Sequence, residues 1–186
     1  MKTLVVLAHP SLNEKSIANR IIVERVRPIP QVTIKDLHRE YPSFRFDVDA
    51  EQEALRNADS VVFQFPFYWY SVPGILKEWM DQVLTHGFAY GSTGDKLKGK
   101  HFLVSMTVGG PAEAYCEGGY NHFTIDELLK PLRQMTYLTG MRYDKPIVSH
   151  GMIFIPNVYN TREAVEERAR DHAERLARYI TGEKSE

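Results

Sequence analysis

Hydrophobic positions along the chain fall into short blocks whose period switches back and forth. "TLVVLA" (3–8) is a continuous β-branched and aliphatic run, the mark of a strand buried on both faces. In "SIANRIIVERVR" (16–27) apolar residues stand at 17, 18, 21, 22 and 26, which is helical spacing, and Pro28 and Pro30 stop it. "VTIKDL" (32–37) alternates, as a strand nearer a sheet edge would. "DAEQEALRNA" (49–58) predicts a helix, with Asp49 a candidate N-cap, and "SVVFQF" (60–65) the next strand. A helix begun by Pro73 follows, a residue suited to the first turn, with Ile75, Leu76, Trp79, Met80 and Val83 on one buried stripe. "HFLVSMTV" (101–108) reads as the fourth strand. "TIDELLKPLRQMTYLTG" (124–140) reads as a helix kinked by Pro131 and ended by Gly140. "IVSHGMIFI" (147–155) is the fifth predicted strand, and Asn160 or Thr161 starts a final helix through about residue 180.

Strands alternating with helices predict an α/β domain, a parallel sheet with helices on both faces. Five strands fit the flavodoxin-like order 2-1-3-4-5. No repeat, low-complexity segment or linker divides the 186 residues, so a single domain spanning 1–186 is expected.

Composition narrows the function classes. A content of 43% hydrophobic and 25% charged residues is that of an ordinary soluble globule. A net charge of −1 points to neither nucleic acid nor an anionic membrane. Cys116 is alone, so no intrachain disulfide is expected and a reducing, cytoplasmic setting is the natural one. No apolar run approaches the ~20 residues of a membrane span, and the N-terminal run is too short for a signal peptide.

In such a sheet ligands bind beyond the carboxyl ends of the strands, where the strand order reverses between strands 1 and 3. The loops after strands 1, 3 and 4 then share one crevice. They read "HPSLNEKSIAN" (9–19), "PFYWYS" (66–71) and "TVGG" (107–110). The first carries His9, Ser11, Asn13 and Ser16 into a helix N-terminus, where free N–H groups and the helix dipole favour a phosphate; a polar turn with Ser16 as N-cap is the plainer alternative. Neither G-x-x-x-x-G-K-[ST] nor G-x-G-x-x-G is present, so a mononucleotide phosphate held by hydroxyls and helix amides fits better than a P-loop. Gly-Gly lets backbone amides approach a ligand, and the aromatic faces of "PFYWYS" suit a flat π-system.

"AHP…S-x-A-N", "FPFYWYSVPGILKEWMDQV", "HGFAYG" and "TVGG…Y" resemble, in order and spacing, the flavodoxin-like NAD(P)H:quinone oxidoreductase family over nearly the whole chain. The short bacterial branch, with general stress flavoproteins and ancillary proteins of glutathione-gated potassium efflux, is the most similar. The resemblance implies phosphate-side contacts at His9, Ser16, Ile17, Ala18 and Asn19. It implies ring contacts at Phe67, Tyr68, Trp69 and Tyr70, then Thr107, Val108, Gly109 and Gly110. Val108 stands where relatives have a second threonine; a backbone donor would survive that change. The chain lacks the extension of the longer FAD-binding relatives, so FMN is expected ahead of FAD, with NAD(P)H as electron donor. Tyr115 lies where longer relatives place a tyrosine over the flavin. His122 follows by seven residues instead of six, with Asn121 at the strict position, so a one-residue insertion would make His122 the second catalytic group. The alternative has His122 capping the helix near Thr124. The resemblance also implies a homodimer with "HGFAYGSTG" (86–94) walling the partner's site, placing Phe88 or Tyr90 near the neighbouring ring.

No histidine shows metal-ligand spacing, so no metal is expected. His101 and His150 read as core or edge histidines, and Cys116 as an ordinary thiol. The implied function is two-electron, ping-pong reduction of quinones or similar electrophiles. Two rivals are a regulatory flavoprotein docking on a potassium-efflux membrane protein and a flavodoxin-type carrier. Near-neutral charge and the "AEAYCEGGYNHF" loop (112–123) speak against the carrier.

Overall fold

The computed structural model describes residues 1–183. Four fully formed parallel strands make its centre: β1 (Thr3–Leu7), β2 (Val32–Asp36), β3 (Ser60–Pro66) and β4 (His101–Thr107). The sheet order is β2-β1-β3-β4-β5, as the sequence predicts, with β5 (Arg142–Tyr143) and β6 (Ile147–Ser149) both pairing with β4. The fifth position is therefore one interrupted strand. β2, at the edge, is only half-buried, which its alternating pattern anticipates.

Side-chain alternation sends the two faces of the sheet into two cores. Phe63, Phe65, Phe102, Val104 and Met106 pack on Ile75, Leu76, Trp79 and Val83 of α5 (Gly74–Val83). On the other face Val5, Val62 and Leu103 meet Ile22 and Val26 of α2 (Ala18–Val26), and Leu176, Ala177 and Ile180 of α8 (Arg162–Thr181). Each helix buries residues three and four apart, so amphipathic spacing alone explains its docking.

Several boundaries move. A short helix, α1 (Leu12–Lys15), precedes α2, and another, α3 (Leu37–Glu40), follows β2. In α4 (Val48–Asn57) the cap is Asp47, whose side chain accepts from the Ala50 amide; Asp49 lies inside the first turn. Pro73 is the N-cap residue of α5, one position earlier than expected. The segment 124–140 is two helices, α6 (Ile125–Leu128) and α7 (Lys130–Thr139). Pro131 opens the second instead of kinking one, because its missing N–H is harmless in a first turn. Gly140 does end it, in the left-handed conformation at φ 69°.

The largest departure is at 147–155. Pairing stops at Ser149, and residues 150–155 form a loop instead of strand. Gly151 turns left-handed at φ 63°, and its carbonyl accepts from Arg168 Nη2 at 2.7 Å and Asn160 Nδ2 at 3.1 Å. An apolar run looks the same whether it pairs or arches over a ligand site, so periodicity could not separate the two.

Candidate functional site

Beyond the carboxyl ends of β1, β3 and β4 lies an open cleft of about 340 Å³. His9, Lys15, Ser16, Ile17, Ala18 and Asn19 form one wall, and Pro66, Phe67 and Tyr68 the second. Thr107 and Gly109 make the floor, and Met152, Ile153 and Phe154 arch over from the 150–155 loop.

The first wall is built to face an anion. Ser16 Oγ accepts from the Asn19 amide at 3.0 Å and so caps the turn, although Ile17 is the formal N-cap residue. Among the described residues the amides of Ile17 and Ala18 have no protein acceptor, as expected for a helix start. Lys15 adds a cation to the same wall. His9 is buried, and its Nδ1 accepts from the Ser11 amide at 3.1 Å. Burial, with His38 adding repulsion, lowers its pKa to about 4. The ring is thus neutral at pH 7 with its proton on Nε2, a donor. Asn19 lines the same wall, with its polar groups already partnered. Its side chain is buried and bound to Gln64 and Thr107, and its amide is taken by Ser16.

The aromatic wall is a strained turn. Tyr68 and Ser71 exchange backbone hydrogen bonds of 3.2 and 3.0 Å around Trp69 and Tyr70, both left-handed at φ 47° and 63°. Two consecutive positive φ values define a tight hairpin turn normally made by Asn-Gly. Here two aromatic residues occupy it, each at a cost of about 1–2 kcal/mol. Phe67 and Tyr68 line the cleft, whereas Trp69 is 91% exposed and Tyr70 points outward to Asn121, its hydroxyl donating to Oδ1 at 3.0 Å. Burial raises the Tyr68 pKa, so its hydroxyl stays protonated.

At the floor, the Val108 amide donates to the Ser149 carbonyl at 2.8 Å and its side chain is fully buried. The backbone donor expected there is consumed by the sheet. Gly109 and Gly110, expected contacts as well, have no acceptor for their amides among the described residues. Tyr115 lies over this loop. A Cβ on Gly110 would stand 3.4 Å from its ring, and the ring neighbours Phe67 and His150 with centroids 6.3 and 5.4 Å away. Burial, then the Tyr70 hydroxyl, raises its pKa, so it too keeps its proton.

His122 does not line the cleft. Its backbone is left-handed at φ 61° and its side chain is exposed, and the helix after it is capped by Thr124 with Glu127, so His122 is not the cap. Asn121, the strict position, is the residue tied to the aromatic turn. Phe88 is buried in its own core with Arg56 stacked 5.2 Å from its centroid, leaving Tyr90 the exposed one of the two aromatic residues. Sequence reading missed Lys15 and the 152–154 arch; the lysine beside a phosphate-type loop was the available signal. No cluster of three or more potential metal ligands occurs among the described residues.

Unpaired amides at Ile17 and Ala18, aromatic faces at Phe67 and Tyr68, and unpaired amides at Gly109 and Gly110 have the chemistry that an FMN phosphate, ring and ring edge call for. A crystal structure of general stress protein 14 from Treponema denticola in complex with FMN is 35% identical, with TM-score 0.84, covering 95% of this chain and 98% of that one. That of an NADPH-quinone reductase from P. pentosaceus is 28% identical, with TM-score 0.79, covering 94% and 97%. The glutathione-regulated potassium-efflux system ancillary protein KefG of Cronobacter sakazakii is 40% identical over 147 residues, 79% of each chain. The family described as having the flavodoxin-like fold matches residues 1–179, and the chain belongs to it.

Proposed function

We propose that this protein is an FMN-dependent NAD(P)H oxidoreductase that reduces quinones or similar electrophilic acceptors by two electrons. The observation that carries the reading is one cleft lined by the unpaired Ile17 and Ala18 amides with Lys15, by Phe67 and Tyr68, and by Gly109, whose amide is free like that of the adjoining Gly110. When bound, FMN would supply the hydride-accepting and hydride-donating centre. The residues of the chain do the rest. Ile17, Ala18 and Lys15 would hold the phosphate, and neutral His9 could donate a hydrogen bond to it. Phe67 and Tyr68 would hold the ring plane, and the Gly109 and Gly110 amides would stabilise negative charge on the ring. Tyr115 holds a proton at its hydroxyl beside the same loop, where a reduced acceptor would need one. Donor and acceptor would share this one cleft, hence the proposed ping-pong order.

The test is the absorption spectrum of the purified protein, with the released cofactor identified by mass. A flavin spectrum and the mass of FMN are expected, followed by parallel initial-rate lines for NAD(P)H against benzoquinone. A colourless protein that takes up no flavin would overturn the reading, and converging lines would overturn the ping-pong order alone.

Trp69 of the aromatic turn is 91% exposed, and Tyr120 and Phe123, on either side of the Asn121 and His122 pair whose Asn121 binds Tyr70, are 88 and 57% exposed. The family resemblance implies a homodimer, and we take this exposed aromatic surface as part of its face. Light scattering should give twice the chain mass. The KefG relative favours a second reading, a regulatory subunit of a potassium-efflux membrane protein. Co-purification with such a protein, together with slow quinone turnover, would select it.

A further inference from the structure

Two polar residues interrupt the apolar strands behind the cleft, Gln64 in β3 and Ser105 in β4, and the sheet register sets them side by side. Both are fully buried, on the face covered by α2 and α8. With them lies His172 of α8, equally buried, a histidine that no part of the proposed chemistry uses.

These groups form one unbroken relay. Arg175 Nη2 donates to Ser149 Oγ at 2.6 Å, and Ser149 Oγ lies 2.8 Å from His172 Nδ1. His172 Nε2 lies 2.8 Å from Ser105 Oγ, which donates to Gln64 Oε1 at 2.7 Å. Gln64 Nε2 donates to Asn19 Oδ1 at 2.8 Å, and Asn19 Nδ2 to Thr107 Oγ1 at 3.0 Å. Thr107 is on the floor of the cleft. At its other end the relay opens into a shallow hollow of about 450 Å³ lined in part by Ser149 and Arg175.

Proton counting gives the relay a direction. A guanidinium can only donate, and each hydroxyl has one proton. Ser149, already accepting from Arg175, spends its proton on His172 Nδ1. His172 is then the Nε2–H tautomer and donates to Ser105, which donates to Gln64, and so on to Thr107. Run the other way, the Ser149 proton would have no acceptor among the described residues. Thr107, accepting from Asn19, has its own proton left over, and the cleft is the side on which it lies.

We propose that Arg175, acting through Ser149, His172, Ser105, Gln64 and Asn19, fixes the Thr107 hydroxyl as a donor into the cleft for an acceptor atom of the bound flavin. His172 and Arg175 are positioning residues, since neither touches the cleft. The buried, low-dielectric path strengthens each bond and lets the cation polarise the next. Burial, then Arg175, lowers the His172 pKa to about 3, so the ring stays neutral and the direction does not reverse at physiological pH.

The inference rests on the flavin reading only for the identity of the acceptor. Two measurements therefore test it separately. In the ligand-free protein, ¹⁵N spectra of His172 should report the Nε2–H tautomer from pH 5 to 8; the Nδ1–H tautomer overturns the relay whether or not flavin binds. In titrations with FMN, Thr107→Val and Arg175→Met should each weaken binding roughly 3- to 10-fold. The double variant should lose no more than Thr107→Val alone, and Thr107→Ser should restore affinity. Additive losses, or no loss in Arg175→Met, overturn the coupling. If wild-type protein binds no FMN, the flavin reading fails and the tautomer alone decides the relay.

Discussion

Residue by residue, the cleft is defined by which polar groups remain unspent. Ser16 illustrates this, because its Oγ holds the Asn19 amide while Ile17 and Ala18 keep theirs free. Ser16→Asp should preserve the cap, since aspartate accepts the same bond, yet set a negative charge beside the phosphate. FMN affinity should fall on the order of 100-fold with an unchanged circular dichroism spectrum; wild-type affinity would place the phosphate elsewhere. Trp69 gives the converse case. It is 91% exposed and left-handed, so its backbone strain is offset by no packing within this chain. Trp69→Asn should stabilise the ligand-free protein by about 0.5–1 kcal/mol in a urea melt, because asparagine tolerates that conformation. Unchanged or lower stability would show that the turn is not strained.

Among elements, the docking of α5 on α4 is fastened by one buried carboxylate. Glu51 is fully buried and accepts from Trp79 Nε1 at 2.9 Å and Tyr41 Oη at 2.7 Å, with Lys35 at 3.0 Å. The indole proton is thus part of a network that is satisfied only as a whole. Trp79→Phe keeps most of the ring but strands one carboxylate oxygen, and about 1–3 kcal/mol should be lost in denaturant unfolding. A loss below about 0.5 kcal/mol would mean that water replaces the indole. The strand–helix alternation was legible from Thr3 to Thr181 because period 2 and period 3.6 come directly from backbone geometry. The break at Leu129 and the arch at 150–155 were not. Both are settled by what the segment meets in space, such as Arg168 and Asn160 on the Gly151 carbonyl.

For the whole molecule, two buried neutral histidines govern behaviour in acid. The pKa of His9 falls to about 4 and that of His172 to about 3, each chiefly through burial. An unfolded chain takes up these protons near pH 6.5, while the folded one resists. The stability they contribute is therefore fully present above about pH 6.5 and is lost as pH falls through the folded-state values. Several kcal/mol should disappear between about pH 6.5 and 4, read from urea midpoints. His172→Gln, a neutral residue that can still donate and accept, should flatten that slope. An equally steep slope in the variant would place the acid sensitivity in other groups.

Among the described residues no helix is long and apolar enough to cross a membrane, in agreement with the hydropathy of the chain. By itself the sequence determined the sheet order, the helices that cover it, and the three loops that meet at its carboxyl edge. The helices follow from local periodicity; the order was read from the count of five strands, and the loops meet where that order reverses. Tertiary structure alone decided which donors in those loops stay free. Val108 carries the same amide as Gly109, and only the neighbouring Ser149 carbonyl removes it from the site. It also tied Asn121 to the Tyr70 hydroxyl and turned Gln64, Ser105 and His172 from isolated polar residues into one connected path. A hydrogen bond belongs to a pair, and residues 41 to 67 positions apart become a pair only once the sheet has formed.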